Sequence, residues 1–175
     1  VDFMKIIDIF ANRKLYAVKY DGEDFHELDR LLDLWNDPIY LHAFIKKNVK
    51  DVPVDKGAYR VFNEILNNTG ELEDILDEIA TDGNRQFEEF FSPLYNQEYK
   101  VVELSMQKGR KNYLRLYALK IDDNCFVITG GAIKLVHKME QSELTKKEKQ
   151  TIEKCRNYLL DNGVYDADSF YDLPY

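Results

Sequence analysis

Tyr113-Leu114-Arg115-Leu116-Tyr117-Ala118-Leu119-Lys120-Ile121-Asp122-Asp123-Asn124-Cys125-Phe126-Val127-Ile128-Thr129-Gly130-Gly131-Ala132-Ile133-Lys134 is the part of the chain with the clearest structural pattern. Apolar and aromatic residues run on both sides of Asp122-Asp123-Asn124, a cluster with the composition of a tight turn. The stretch therefore reads as two antiparallel strands, 113–121 and 125–136. A third strand over 99–106, joined through a connection containing Gly109, completes a predicted three-stranded antiparallel meander. Gly130-Gly131 interrupts the last strand, as glycines do at a bulge or where another backbone comes close. A phosphate-cradling loop is the competing reading, but the pair lacks a Walker or dinucleotide fingerprint.

Charge sets this region apart from the rest of the chain. The protein has 175 residues and a formal net charge of −8. Residues 1–98 hold 11 Lys/Arg against 21 Asp/Glu, residues 99–160 hold 13 against 7, and residues 161–175 hold none against 4. An acidic protein thus carries a basic segment suited to an anionic partner.

Outside the meander, residues 5–10 and 14–20 are rich in β-branched and aromatic residues and predict an N-terminal hairpin. Asp24 with Glu27 resembles a capping box, followed by Phe25, Leu28, Leu32 and Trp35 on one helical face. Asp37-Pro38 opens a second helix carrying Leu41, Phe44 and Ile45. Three more helical patterns follow: Ala58 to Leu66, Leu72 to Ile79, and Phe87 to Leu94, punctuated by Gly70 and Gly83. The acidic run Glu71–Glu78 reads as a solvated helix face. Thr145 with Glu148 forms a capping box for a last helix with Ile152, Cys155 and Leu159 buried, stopped by Asn162-Gly163. The expected organisation is one domain of class α+β: hairpin 1–22, helical part 23–98, basic sheet and helix 99–160, and acidic tail 161–175.

Several chemistries find no pattern. His26, His42 and His137 are scattered and form no metal-ligand pair, so no metal or other cofactor is expected. No GxSxG elbow or cysteine-protease context surrounds Cys125 or Cys155, which read as reduced, semi-buried thiols. No carboxylate pair stands out for glycoside hydrolysis. No apolar run is long enough to span a bilayer, and Val1–Met4 has no signal-peptide pattern, so a cytoplasmic protein without a membrane partner is expected.

The basic residues of the meander are the candidate site. Lys108, Arg110, Lys111, Arg115, Lys134, His137 and Lys138 come from three consecutive strands or their ends, and strands about 4.8 Å apart let such side chains converge. Alternation predicts Tyr113, Arg115 and Tyr117 on one side, a guanidinium between two rings suited to stacking RNA bases. The plainer reading of Arg115 is a snorkelling or salt-bridged strand residue. His137 is the histidine of this patch and a candidate acid or base. Regular strand parity, however, turns it away from Lys134 and Lys138.

With hairpin, helices, basic meander and helix in this order, the chain resembles the RelE/ParE toxin superfamily, particularly its HigB-like branch. The resemblance rests mainly on residues 99–160. Leu114–Lys120 is similar to that branch's Arg-containing central strand, and Ile128–Lys138 to the next strand with its Gly–apolar–Lys cluster. Residues 5–20 stand where the family has its first strand, and the extra helices look like an insertion. The resemblance implies a metal-free endoribonuclease of a type II toxin–antitoxin system, acting on messenger RNA at the ribosome and held by an antitoxin with a helix-turn-helix fold. It implies Arg115 and Lys134 as phosphate-clamping residues and Lys108, Arg110, Lys111 and Lys138 as RNA-backbone contacts; the residue pattern itself adds Tyr113 and Tyr117 as base-stacking RNA contacts and His137 as a further catalytic candidate. The chain departs from the family in length, acidity and the absence of a clear C-terminal catalytic tyrosine, for which Tyr158 and Tyr165 are candidates. The alternatives are a non-catalytic module that uses the same basic surface to bind a nucleic acid or a partner helix, and a ParE-like gyrase inhibitor.

Overall fold

The structure is a computed structural model that describes residues 4–94, 104–136 and 144–173. The N-terminal hairpin forms as expected: β1 (Met4–Asp8) pairs antiparallel with β2 (Leu15–Tyr20). In its connection Ala11 and Arg13 take left-handed backbone angles, and the Asp8 carboxylate accepts a hydrogen bond from the Arg13 amide.

Three helices follow. In α1 (Glu27–Trp35) the cap is His26 rather than Asp24, its ring Nδ1 accepting from the Asp29 amide, and Leu28, Leu31, Leu32 and Trp35 are buried. In α2 (Pro38–Lys47) the Asp37 carboxylate accepts from the Ile39 amide, as the Asp-Pro pair predicts. The two helical patterns on either side of Gly70 are one helix, α3 (Gly57–Thr81), of 25 residues. A single exposed glycine costs a helix only about 1 kcal/mol. Burial of Val61, Ile65, Leu72, Leu76 and Ile79 along one side outweighs that cost. A Cβ at Gly70 would meet nothing within 4 Å. Gly70→Ala is therefore expected to stabilise the protein by about 0.5–1 kcal/mol, read as a Tm rise of roughly 1–4 °C.

The segment with Phe87, Phe90, Phe91 and Leu94 is not a helix. It forms a short 3-10 turn, Phe87–Glu89, and strand β3 (Phe91–Pro93). The four-residue spacing from Phe87 to Phe91 suits a turn plus strand as well as a helix. Strand pairing wins because Phe91 stacks on Phe126 with centroids 4.9 Å apart, and Phe90 lies over Gly109, where any Cβ would collide with its ring. Gly109 thus sits inside a strand, not in a connection.

The remaining strands are β4 (Met106–Lys111), β5 (Leu114–Asp122) and β6 (Cys125–Ile133). Residues 99–103 of the expected first meander strand lie outside the described residues. Tight connections at Asn112-Tyr113 and Asp123-Asn124 each contain an asparagine at positive φ. The meander is part of a larger sheet: six strands in the order β1-β2-β6-β5-β4-β3, with β2 and β6 parallel and all other pairs antiparallel. The predicted three-stranded layout is therefore corrected to a six-stranded mixed sheet within the same α+β class.

Helices cover both faces. On one, α1, α2 and α3 bury Leu15, Ala17, Leu114, Leu116, Ala118, Phe126 and Ile128. On the other, α4 (Lys146–Asp161) and α5 (Ala167–Tyr171) bury Ile6, Val18, Tyr117, Leu119 and Val127. The Thr145/Glu148 capping box is present in both directions, and Asn162 and Gly163 end α4 as the sequence predicts.

Candidate functional site at the carboxyl ends of the parallel strands

The parallel pairing of β2 with β6 extends only over Leu15–Ala17 and Phe126–Ile128. Beyond it β6 bulges: Ala118 faces Ile128 and Tyr117 faces Gly130, leaving Thr129 as the extra residue. The helix that follows β2, α1, packs on one face of the sheet, and the helix that follows β6, α4, packs on the other. Such a reversal in an open sheet creates a crevice where ligands commonly bind. Here it is a cleft of about 540 Å³, with Glu27 and Arg30 of α1 on one wall, Lys147 and Glu148 of α4 on the other, and Thr129–Gly131 between them.

Fixed polar contacts hold the cleft in shape. The Tyr20 hydroxyl donates to the Thr129 carbonyl at 2.5 Å and lies 3.2 Å from Cys155 Sγ, tying β2 to the bulge. Burial raises the Tyr20 phenol above its ordinary pKa, keeping it protonated. Glu27 is almost fully buried, and Arg30 donates to both its oxygens, from Nε at 2.6 Å and Nη2 at 2.8 Å. That paired geometry compensates the charge and raises the Arg30 pKa.

The basic residues of the meander divide between the two faces. Opposed residues of antiparallel strands share a face. Lys108 faces Tyr117 and Arg110 faces Arg115, which puts these four beneath the α4 side of the sheet. Lys134, just past β6, joins them through Glu148 of α4, its Nζ lying 2.8 and 2.9 Å from the two carboxylate oxygens. Lys111 is on the other side, bridged to Glu71 of α3 at 2.8 Å. So is Tyr113, whose hydroxyl donates to Glu64 at 2.7 Å and accepts from Lys56 Nζ at 3.1 Å. The expected row of Tyr113, Arg115 and Tyr117 is broken because Tyr113 belongs to the turn after Asn112, whose positive φ resets the alternation.

Arg115 is only 1% exposed, and its Nη1 donates to the Asn112 and Leu114 carbonyls. In this conformation it offers no surface to a phosphate in solution. His137 and Lys138 lie outside the described residues. Tyr158 donates to the Met4 carbonyl, ten residues along α4 from Glu148 and so about 15 Å away. Tyr165 is exposed beyond that helix.

Glu148 was legible in the sequence only as a capping residue. In the structure it accepts from the Thr145 amide at 2.7 Å, pairs with Lys134, and stands 3.4 Å from the Tyr117 hydroxyl. Burial acts to raise its pKa, but hydrogen bonds from Lys134 and Thr145 outweigh burial and hold it below the ordinary carboxylate value. A carboxyl with a lowered folded-state pKa contributes stability above its unfolded value and loses it as pH falls through the folded one. Glu148→Gln, which can keep the capping geometry, is expected to lower Tm near neutral pH and to narrow the Tm difference between neutral and about pH 3. Thermal melts at the two pH values check this.

Both cysteines are buried free thiols, and burial pushes Cys125 up to about 11. Among the described residues no three His, Cys, Asp or Glu side chains gather as metal ligands, and no helix is long and apolar enough to cross a membrane. The fold and site together define an α+β protein with a six-stranded mixed sheet, a switch-point crevice and an adjoining cationic sheet face. No family model, curated protein or solved structure matches the chain.

Proposed function

We propose that the protein is the toxin of a type II toxin–antitoxin system, an endoribonuclease that cleaves messenger RNA at the ribosome without a metal ion. The observation that carries this reading is the cluster of Lys134, Glu148 and Tyr117, contributed by the end of β6, by α4 and by β5, beside Lys108 and Arg110. It supplies the groups that RNA transesterification needs: a carboxylate base, a cation for the phosphorane charge, and a hydroxyl acid in Tyr117, which is buried like Arg115 but, unlike it, borders the crevice.

In the proposed step Glu148 takes the proton of the ribose 2′-OH as its oxygen attacks the adjacent phosphorus. The new O2′–P bond forms while the P–O5′ bond breaks. Lys134 stabilises the added negative charge, and Tyr117 gives its proton to the departing 5′ oxygen. Glu148 then returns its proton to Tyr117, 3.4 Å away, restoring both groups. The products are a 2′,3′-cyclic phosphate and a 5′-hydroxyl. Lys108 and Arg110 hold the RNA backbone, so binding weakens steeply with salt. The helices of the N-terminal half give an antitoxin a surface apart from this cluster.

The test is incubation of the protein with messenger RNA and translating ribosomes in the presence of a chelator. Chelator-resistant cleavage supports the proposal. Binding with intact message overturns it in favour of a non-catalytic module, a reading favoured by the burial of Arg115 and the ion pairing of Lys134. Intact message with a DNA-damage response in cells overturns it in favour of a gyrase inhibitor.

A further inference from the structure

We infer that the crevice between β2 and β6 is a base pocket selective for guanine, holding the nucleotide next to the scissile phosphate. The inference rests on the ribonuclease reading for its substrate class and on the crevice for its selectivity. Three properties of the cleft point to a nucleobase. Its volume of about 540 Å³ lies in the range of small-molecule sites. Its charged lining is balanced, Arg30, Lys147 and Lys154 against Glu23, Glu27 and Glu148, which suits a neutral polar group better than a free phosphate. Partly exposed Tyr20 adds aromatic surface.

Arg30 supplies the selectivity. Glu27 engages its Nε and one Nη2 hydrogen, which fixes the guanidinium plane from behind. Of the five N–H donors of an arginine, the three on the Nη1 and outer Nη2 edge remain for a ligand. That edge is the fork that donates in pairs to guanine O6 and N7, whereas adenine presents an amino donor at the corresponding position and is rejected. Because Glu27 is buried and already compensates the arginine charge, the fork is positioned before any ligand arrives.

The bulge makes room for the base. A Cβ at Gly130 would meet nothing closer than Glu27 Oε2 at 3.8 Å, and its φ is not left-handed, so a side chain there enters the cleft without disturbing the strand.

The test is calorimetric binding of 3′-GMP, 3′-AMP, 3′-CMP and 3′-UMP to the full chain in chelator, with Arg30→Gln and Gly130→Val as variants. GMP is expected to bind about 10–100-fold more tightly than the other three. Arg30→Gln should erase the preference. Gly130→Val should weaken GMP binding by at least about tenfold with an unchanged Tm, and it guards against misfolding of Arg30→Gln, which leaves Glu27 unpaired. Equal binding of all four nucleotides, no binding, or wild-type GMP binding by Gly130→Val would overturn the pocket. Selective GMP binding by a protein that cuts no RNA overturns the ribonuclease reading and keeps the pocket. Cleavage of RNA without GMP selectivity does the reverse.

Discussion

Lys134→Ala is expected to reduce RNA cleavage by about 10²–10³-fold while the protein remains folded. Lys134 stands just beyond the last hydrogen-bonded position of β6, where its amide donates to the Tyr113 carbonyl at 2.7 Å. That anchor fixes its backbone, and the ion pair with Glu148 fixes its ammonium. Removing the ammonium takes away the cation that the proposed step requires and leaves Glu148 with only the Thr145 contacts and Tyr117. Lys134→Arg restores a cation at the same position and is expected to recover part of the rate. The ion pair is partly exposed, so its loss costs about 1 kcal/mol of stability rather than the several of a fully buried pair. Initial rates on ribosome-bound message, with circular dichroism alongside, check the split. Arg115→Ala behaves differently: its guanidinium is buried on backbone carbonyls, so its removal lowers stability and activity together.

The second large effect is structural. Gly131→Ala is expected to destabilise the protein by about 3 kcal/mol, a Tm fall of roughly 6–12 °C. A Cβ at Gly131 would lie 2.5 Å from the Arg115 carbonyl oxygen, 2.9 Å from Leu31 Cδ1 and 3.1 Å from the Trp35 ring. The first of these is backbone in the paired strand and cannot rotate aside; the other two anchor α1 on the sheet. Relief requires moving β5 from β6, or α1 from both, and either change widens the crevice. Gly130→Ala is expected to leave Tm nearly unchanged, because its Cβ meets only Glu27 Oε2, at an ordinary contact distance of 3.8 Å. Thermal melts of the pair test the docking of α1 against the bulge.

What was readable in the sequence was local. The hairpin, the Asp37-Pro38 helix start, the Thr145/Glu148 capping box, the Asp123-Asn124 turn and a bulge beside Gly130 all have chemistry within a few residues. The errors also have local causes. Gly70 resembles a stop but is absorbed by a long buried face, and Phe87 with Phe91 has a spacing shared by helix and turn-plus-strand. The parallel pairing of Leu15 with Phe126 had no nearby signal at all, because the partner of an edge is chosen across more than a hundred residues. The crevice depends on that pairing and was therefore invisible.

The site divides in the same way. Strand alternation was enough to bring Lys108, Arg110, Arg115 and Tyr117 to one face, and it failed for Lys111 and Tyr113 at the turn. It could not reveal that Arg115 is covered or that Lys134 meets Glu148 on a helix packed over the sheet. Glu27 and Arg30 were hidden for another reason: a carboxylate and an arginine three residues apart at a helix start look like surface charge, and only burial marks them as structure.

The most direct test of the account is the chemistry of the RNA ends. Message incubated with the wild-type protein and ribosomes in chelator is predicted to yield 2′,3′-cyclic phosphate and 5′-hydroxyl termini, formed about 10²–10⁴-fold more slowly by Tyr117→Phe. Intact message, 5′-phosphate termini, or a Tyr117→Phe rate equal to wild type would contradict it.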